Sequence, residues 1–169
     1  GNTIKNVCYI GKVEQFISNI NGLKKEVKKL GMNFKIVHKS KWNDYSEIDV
    51  ILAVRAVANV HNKSFASNLS PNKKPASKLI NAWIAGAPAI LSRDDAFLKL
   101  KKSENDFLEA DNLDEIIVQL KKLRDNPELF NNIIENGIER SKDFYPEEIA
   151  RQWHRLIQKE IVPSYFIWK

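Results

Sequence analysis

The chain alternates short, nearly continuous apolar runs with longer segments in which apolar residues recur every three or four positions. The runs are Asn6–Ile10 (NVCYI), 34–37 (FKIV), 49–54 (DVILAV), Ala89–Leu91 and 107–110 (FLEA). Runs this short and this apolar suit strands covered on both faces of a sheet. After the first run, Val13, Phe16, Ile17, Ile20, Leu23, Val27 and Leu30 share one helical face closed by Gly31, with Asn21-Gly22 as a weak point inside it. Arg93-Asp94-Asp95 opens a short helix over 96–101. Asn112 or Asp111 caps another over 113–123, and Asn126-Pro127-Glu128 starts a third through Leu129, Phe130, Ile133 and Ile134, ending at Asn136-Gly137 or a little later. The spacing of Ile149, Trp153, Leu156, Ile157 and Ile161 predicts a last helix over 146–162 with a core-facing stripe, broken by Pro163 and followed by Tyr165 to Trp168. Strands alternating with helices predict an α/β fold, a Rossmann-like parallel sheet flanked by helices over 1–145, with a C-terminal helical extension at 146–169.

The chain is organised around Lys74 to Ser92, KPASKLINAWIAGAPAILS. Pro75 suits the first turn of a helix. Ala76, Leu79, Ile80, Trp83 and Ile84 then form an apolar stripe, Gly86 ends the helix, and Pro88 precedes the buried strand Ala89-Ile90-Leu91. Ser77, Lys78 and Asn81 share the polar side of the first turns. A helix N-terminus offers unpaired N–H groups and about half a positive charge, which favours a phosphate, and Lys78 adds a full charge one turn in. Gly11 stands where the first strand hands over, so a ligand's phosphates can approach its backbone. Arg55 follows the third strand at its carboxyl end, where ligands of open α/β sheets sit. His61 and Lys63, within the irregular stretch 56–74, and His38 after the second strand read as solvent-exposed.

Composition narrows the function classes. With 169 residues, 43% of them hydrophobic, and six each of Gly and Pro, the chain holds enough for one real core and is neither fibrous nor disordered. Its one cysteine, Cys8, allows no disulfide framework and points to a reducing, cytoplasmic setting. No apolar run approaches the roughly 20 residues of a membrane span. The sequence opens on Gly1 rather than methionine, which points to a piece of a longer chain. A formal net charge of +6 favours phosphorylated ligands or peripheral contact with an acidic membrane surface. It does not favour nucleic acid, because Lys24, Lys25, Lys28 and Lys29 surround one helix without interleaved aromatics and read as a solvated coat. The dinucleotide fingerprint G-x-G-x-x-G, a Ser-His-Asp arrangement and metal-ligand spacings are all missing, so no catalytic set, metal or cofactor is expected from the sequence.

INAWIAGAPAIL (residues 80–91) resembles the nucleotide-sugar half of glycosyltransferases with the GT-B fold, in which a helix ending in Gly-x-Pro before a buried strand holds the donor's diphosphate and ribose. Lys73 and Asn81 stand where the family often has two glutamates, and the chain is closer to members with a Lys-Pro-x-x-Lys-Leu signature. Tyr9-Ile10-Gly11-Lys12 resembles the strand end that opens such a donor domain, and the Asn-Pro-Glu-Leu and Asn-Gly of the later helices resemble its tail. The resemblance implies a donor-binding domain for a nucleoside-diphosphate sugar, with Gly11, Lys12, Arg55, Lys74, Ser77, Lys78 and Asn81 at the donor. It also implies a separate N-terminal lobe that carries the acceptor, against which the last helix and its aromatics pack if they do not pack on the donor domain itself. The other readings are a nucleotide-sugar epimerase of the same fold and a non-catalytic binding or assembly module.

Overall fold

The computed structural model describes residues 4–11, 19–54 and 75–167, and among them it contains a five-stranded, all-parallel sheet in the order β2-β1-β3-β4-β5. The strands are β1 (Asn6–Ile10), β2 (Asn33–Val37), β3 (Val50–Ala53), β4 (Ala89–Leu91) and β5 (Leu108–Glu109). The expected Rossmann-like α/β architecture is what forms. Register pairs Cys8 with both Lys35 and Ile51, and Ile51 in turn with Ala89. Asp49 secures the entrance to the sheet, its Oδ2 accepting from the Lys5 and Asn6 amides at 2.7 Å each.

Alternation along the strands splits the core in two. Val7, Tyr9, Val50, Leu52 and Ile90 join one apolar layer with Leu23 and Val27 of α1 (Ile20–Lys29) and Ile116, Leu120 and Leu123 of α4 (Leu113–Asp125). Ile51, Ala53, Ala89 and Leu91 face the other way, onto Leu79, Ala82 and Trp83 of α2 (Ser77–Ala85) and onto Phe97 of the short α3 (Asp95–Leu98). β3 is wholly buried because it feeds both layers. The half of the expected first helix before Asn19 lies outside the described residues. Its described part starts at Asn19, whose Oδ1 accepts from the Gly22 amide at 2.8 Å, so Asn21-Gly22 falls in the opening turn.

Four helical features refine or depart from the pattern reading. The buried face of α2 runs through Leu79, Ala82 and Trp83, while Ile84 is 53% exposed. Packing onto the sheet selects the arc that contains the small Ala82, not the arc with the most apolar residues. Gly86 ends α2 as expected, at φ 64°, its N–H reaching Ala82 and Trp83 carbonyls. Next, α5 (Pro127–Ser141) continues past Asn136-Gly137, taking the later of the two ends read from the sequence. A Cβ on Gly137 would lie 2.8 Å from Trp83 Cδ1, so the glycine is there for close approach of α5 to α2. Gly137→Val is therefore expected to destabilise the domain by about 1–3 kcal/mol, the range for overpacking, measured as a lowered urea midpoint at unchanged m. An unchanged midpoint would show that the helices separate freely.

The third and fourth departures lie in the extension. α6 (Pro146–Leu156) passes into a π-helical turn, Ile157–Ile161, and then α7 (Val162–Ile167). Pro163 is the second residue of α7, directly after the π-helical turn, and the helical path continues through it instead of breaking there. The stripe read as core is uncovered: Trp153, Leu156, Ile157 and Ile161 are all exposed.

Candidate functional site

The winding reverses between β1 and β3, since the chain moves from β1 outward to β2 and then back across β1 to β3. In such sheets the crevice beyond the carboxyl ends of the two central strands is where ligands bind. Gly11 follows β1 directly into that crevice at φ 152°, a conformation that L side chains rarely adopt. A Cβ on Gly11 would lie 2.8 Å from Lys78 Nζ and 2.8 Å from the Tyr9 hydroxyl. Lys78 Nζ in turn stands 4.6 Å from the centroid of the Tyr9 ring. Residues far apart in sequence thus meet at one point, a strand end on one side and the first turn of α2 on the other.

That first turn carries no side-chain cap, since Ala76 occupies the N-cap position. Ser77 is exposed beside it and Lys78 half-buried. Asn81, one turn further, is exposed but engaged: it hydrogen-bonds Tyr45, whose hydroxyl burial pushes up in pKa while the Asn81 bond pulls back against that rise. Gly11 and Lys78 are therefore brought together, Ser77 lies next to Lys78, and Asn81 is tied toward the segment that follows β2. Lys12, Arg55 and Lys74, with His61 and Lys63, lie outside the described residues. Tyr9, only 2% exposed, enters the sequence reading as part of the Tyr9-Ile10-Gly11-Lys12 strand end but not as a donor contact. The available signal was the aromatic residue two before the strand-end glycine.

Other charged groups near the carboxyl edge are committed elsewhere. Arg93, just past β4, bonds Glu109 at 3.1 Å, Asp111 at 2.5 Å and Glu115 at 3.0 Å, and its pKa is raised by the Asp111 and Glu115 carboxylates. His38 is exposed and caps the Lys39–Lys41 turn, accepting from the Ser40 amide at 3.4 Å. A cavity of about 220 Å³ separates β2 from the 44–48 segment, lined by Cys8, Lys35, His38, Asp44 and Glu47 among others. Burial pushes the Cys8 thiol up to about 11, so it stays neutral and is no nucleophile near neutral pH. Among the described residues no group of three or more His, Cys, Asp or Glu side chains could hold a metal ion, and no helix is long and apolar enough to cross a membrane.

Residues 19–155 match the model of a family described as glycosyl transferase-like. The chain belongs to that family. No relative among curated proteins matches this glycosyl transferase-like chain. Solved structures do share its fold. TarM aligns at TM-score 0.62 and 12% identity over 91% of this chain and 35% of TarM. HepE of Anabaena, in complex with UDP and glucose, aligns at TM-score 0.63 and 9% identity over 92% of this chain and 48% of HepE. The C-terminal domain of the group 1 glycosyl transferase LpcC from Francisella tularensis aligns at TM-score 0.54 and 10% identity, over 83% of this chain and 86% of that domain. The glycosyl transferase-like chain thus spans about a third to a half of TarM and HepE, and most of the isolated LpcC domain.

Proposed function

We propose that this chain is the donor-binding half of a glycosyltransferase and that it takes a nucleoside-diphosphate sugar. The observation that carries the reading is the meeting of Gly11 and Lys78 at the crevice between β1 and β3, in a chain of glycosyl transferase-like family. Lys78 and the first-turn amides of α2 hold the diphosphate, with Ser77 beside them. Gly11 lets it approach the β1 end, and Lys12, Arg55 and Lys74 border it. Asn81 faces the ribose, sharing its amide between Tyr45 and a sugar hydroxyl, as one carbonyl and two N–H donors allow. As the bond from sugar to diphosphate breaks, negative charge grows on the leaving diphosphate, and Lys78 with the amides is placed to meet it.

The acceptor and a general base belong to an N-terminal lobe. The uncovered stripe of Trp153, Leu156, Ile157 and Ile161 is the surface that this lobe covers, because a contiguous apolar face of this kind is seldom left in water. The complex of HepE with UDP and glucose supports a nucleotide-sugar ligand for this fold.

The test is an NMR titration of the chain with UDP and other nucleoside diphosphates, beside a transfer assay with mixed acceptors. With half of the contacts supplied, affinity is expected on the order of 0.1–1 mM. Shifts should centre on Gly11 and the Ser77–Asn81 turn, with no turnover, since in this reading the acceptor is held by the other lobe. Unmoved signals at millimolar ligand would remove the donor site. Transfer by the chain alone would remove the half-enzyme assignment.

A further inference from the structure

We infer that Tyr9 is the positioning residue of the phosphate site: its buried ring holds the Lys78 ammonium over the carboxyl end of β1, and Gly11 is glycine so that the ammonium can lie there. The inference rests on the diphosphate reading above. Lysine is a compact charge on a flexible four-carbon stem, and left alone it spreads over many rotamers. A ring face within about 6 Å attracts such a cation through its quadrupole, more strongly as the pair loses water. Here Nζ is 4.6 Å from the ring centroid, and the ring belongs to a residue 2% exposed and fixed between Val7 and the other apolar side chains of its layer. The third member is steric. The space a Gly11 Cβ would take is filled by Lys78 Nζ and the Tyr9 hydroxyl, each 2.8 Å away. Glycine at the strand end therefore does more than turn the chain: it leaves room for the cation beside the strand end, where a phosphate would arrive.

A charge already in place loses less entropy on binding than one that must be gathered in. Removing the ring should weaken diphosphate binding although Lys78 itself remains. Removing the ring from a protein that already lacks Lys78 should do almost nothing. That non-additivity distinguishes a positioning residue from a second independent contact.

The experiment uses the chain with UDP and with inorganic pyrophosphate as probes, and begins without ligand. In the free protein the ε-methylene protons of Lys78 are expected upfield of ordinary lysine, shifted by the ring current of Tyr9. Tyr9→Leu and Gly11→Ala should both abolish that shift, the first by removing the ring and the second by pushing the ammonium off it, while Tyr9→Phe should keep it. Affinity for UDP should fall about three- to tenfold in Tyr9→Leu and in Gly11→Ala and recover in Tyr9→Phe. Tyr9→Leu/Lys78→Ala should bind no more weakly than Lys78→Ala. Ordinary Lys78 shifts in the free protein would overturn the positioning contact whatever the ligand does. Additive losses in the double variant would make Tyr9 an independent contact and overturn the inference as well. If neither probe binds while the upfield shift is present, the diphosphate reading falls and the Tyr9–Lys78 pair stands as a structural contact only. Because Tyr9 is buried and Gly11 stands at φ 152°, both variants are checked for folding, and the Lys78 shifts of the free parent protein, which need no variant, keep the inference testable if neither folds.

Discussion

Replacing Asp106 by alanine is expected to cost about 3–5 kcal/mol of folding stability, the range for removing one partner of a buried ion pair. The Asp106 side chain is fully buried and holds four groups. Oδ2 accepts from the Lys102 and Ser103 amides at 2.5 and 2.8 Å, and Oδ1 from Asn136 Nδ2 at 2.9 Å. Arg140 Nε lies 3.3 Å from Oδ1, close enough for an ion pair without the alignment of a hydrogen bond. Arg140 also packs 5.0 Å from the Trp83 ring centroid, and Trp83 Nε1 donates to the Asp106 carbonyl at 2.9 Å. Without the carboxylate, a largely buried guanidinium loses its closest counter-charge and three N–H donors lose their acceptor. Against a total of about 5–15 kcal/mol, that is enough to leave much of the chain unfolded.

The same carboxyl gives the stability a direction in pH. Burial acts to raise its pKa, but the Lys102 amide, Asn136, the Ser103 amide and Arg140 together outweigh burial and hold it below the ordinary aspartate value. A folded-state pKa below the unfolded one means the unfolded chain takes up the proton first. The contribution is thus fully present above about pH 4 and is lost as pH falls through the lower, folded value. Urea midpoints measured downward from pH 7 should drop on acidification in the parent and drop less in Asp106→Asn, which has no such proton to gain. Equal acid dependence in both proteins would mean that other carboxylates carry the effect.

Asp106 was invisible to pattern reading because its partners come from a tight turn and from α5, which no local periodicity relates. The inner strands were legible because being covered on both faces leaves almost no polar residue in them, as in β3, whereas edge strand β2 keeps Asn33 and Lys35 exposed and was legible through Phe34, Ile36 and Val37 alone. The helix start at Asn112 was legible through its own chemistry, the Asn112 side chain accepting from the Glu115 amide at 2.9 Å. Gly137 left the end of α5 open between that glycine and a point a little later, because glycine most often ends helices, whereas here it is demanded by a tryptophan on another helix. The terminal stripe misled in another way. An apolar helical face has the same spacing whether its own domain, another lobe or a partner covers it, so periodicity found Trp153 and Ile161 without revealing that both face out.

The candidate site was half legible for similar reasons. Lys78 was readable from the polar first turn of a helix announced by Pro75 and ended by Gly86, although the helix itself begins at Ser77 with Ala76 as its N-cap. Strand alternation places Tyr9 on the layer opposite Ile51, but it carries no information that a lysine from α2 reaches that ring. Asn81 was readable as polar and helix-borne, while its bond to Tyr45 depends on how the segment after β2 folds back.

Lys78→Ala is expected to weaken nucleoside-diphosphate binding by about 10- to 150-fold, equivalent to about 1.5–3 kcal/mol for a lost charge-assisted contact. Folding should change by about 1 kcal/mol or less, since the side chain is only half-buried and a ring contact at a partly solvated site is worth about 0.5–1 kcal/mol. From a parent affinity on the order of 0.1–1 mM, the variant's titration should no longer approach saturation at millimolar UDP. Lys78→Arg keeps the charge but replaces a compact ammonium by a broad planar group, which the space beside Gly11 and the Tyr9 hydroxyl does not fit, so only partial recovery is expected. Arg93→Ala supplies the contrast. Arg93 is another cation at the carboxyl edge, but its guanidinium is held by Glu109, Asp111 and Glu115, so its removal should leave UDP affinity where it was. Equal affinity in the parent and Lys78→Ala would take Lys78 out of the site. A loss in Arg93→Ala as large as in Lys78→Ala would show that net charge at the sheet edge, rather than the place where Lys78 stands, draws the diphosphate in.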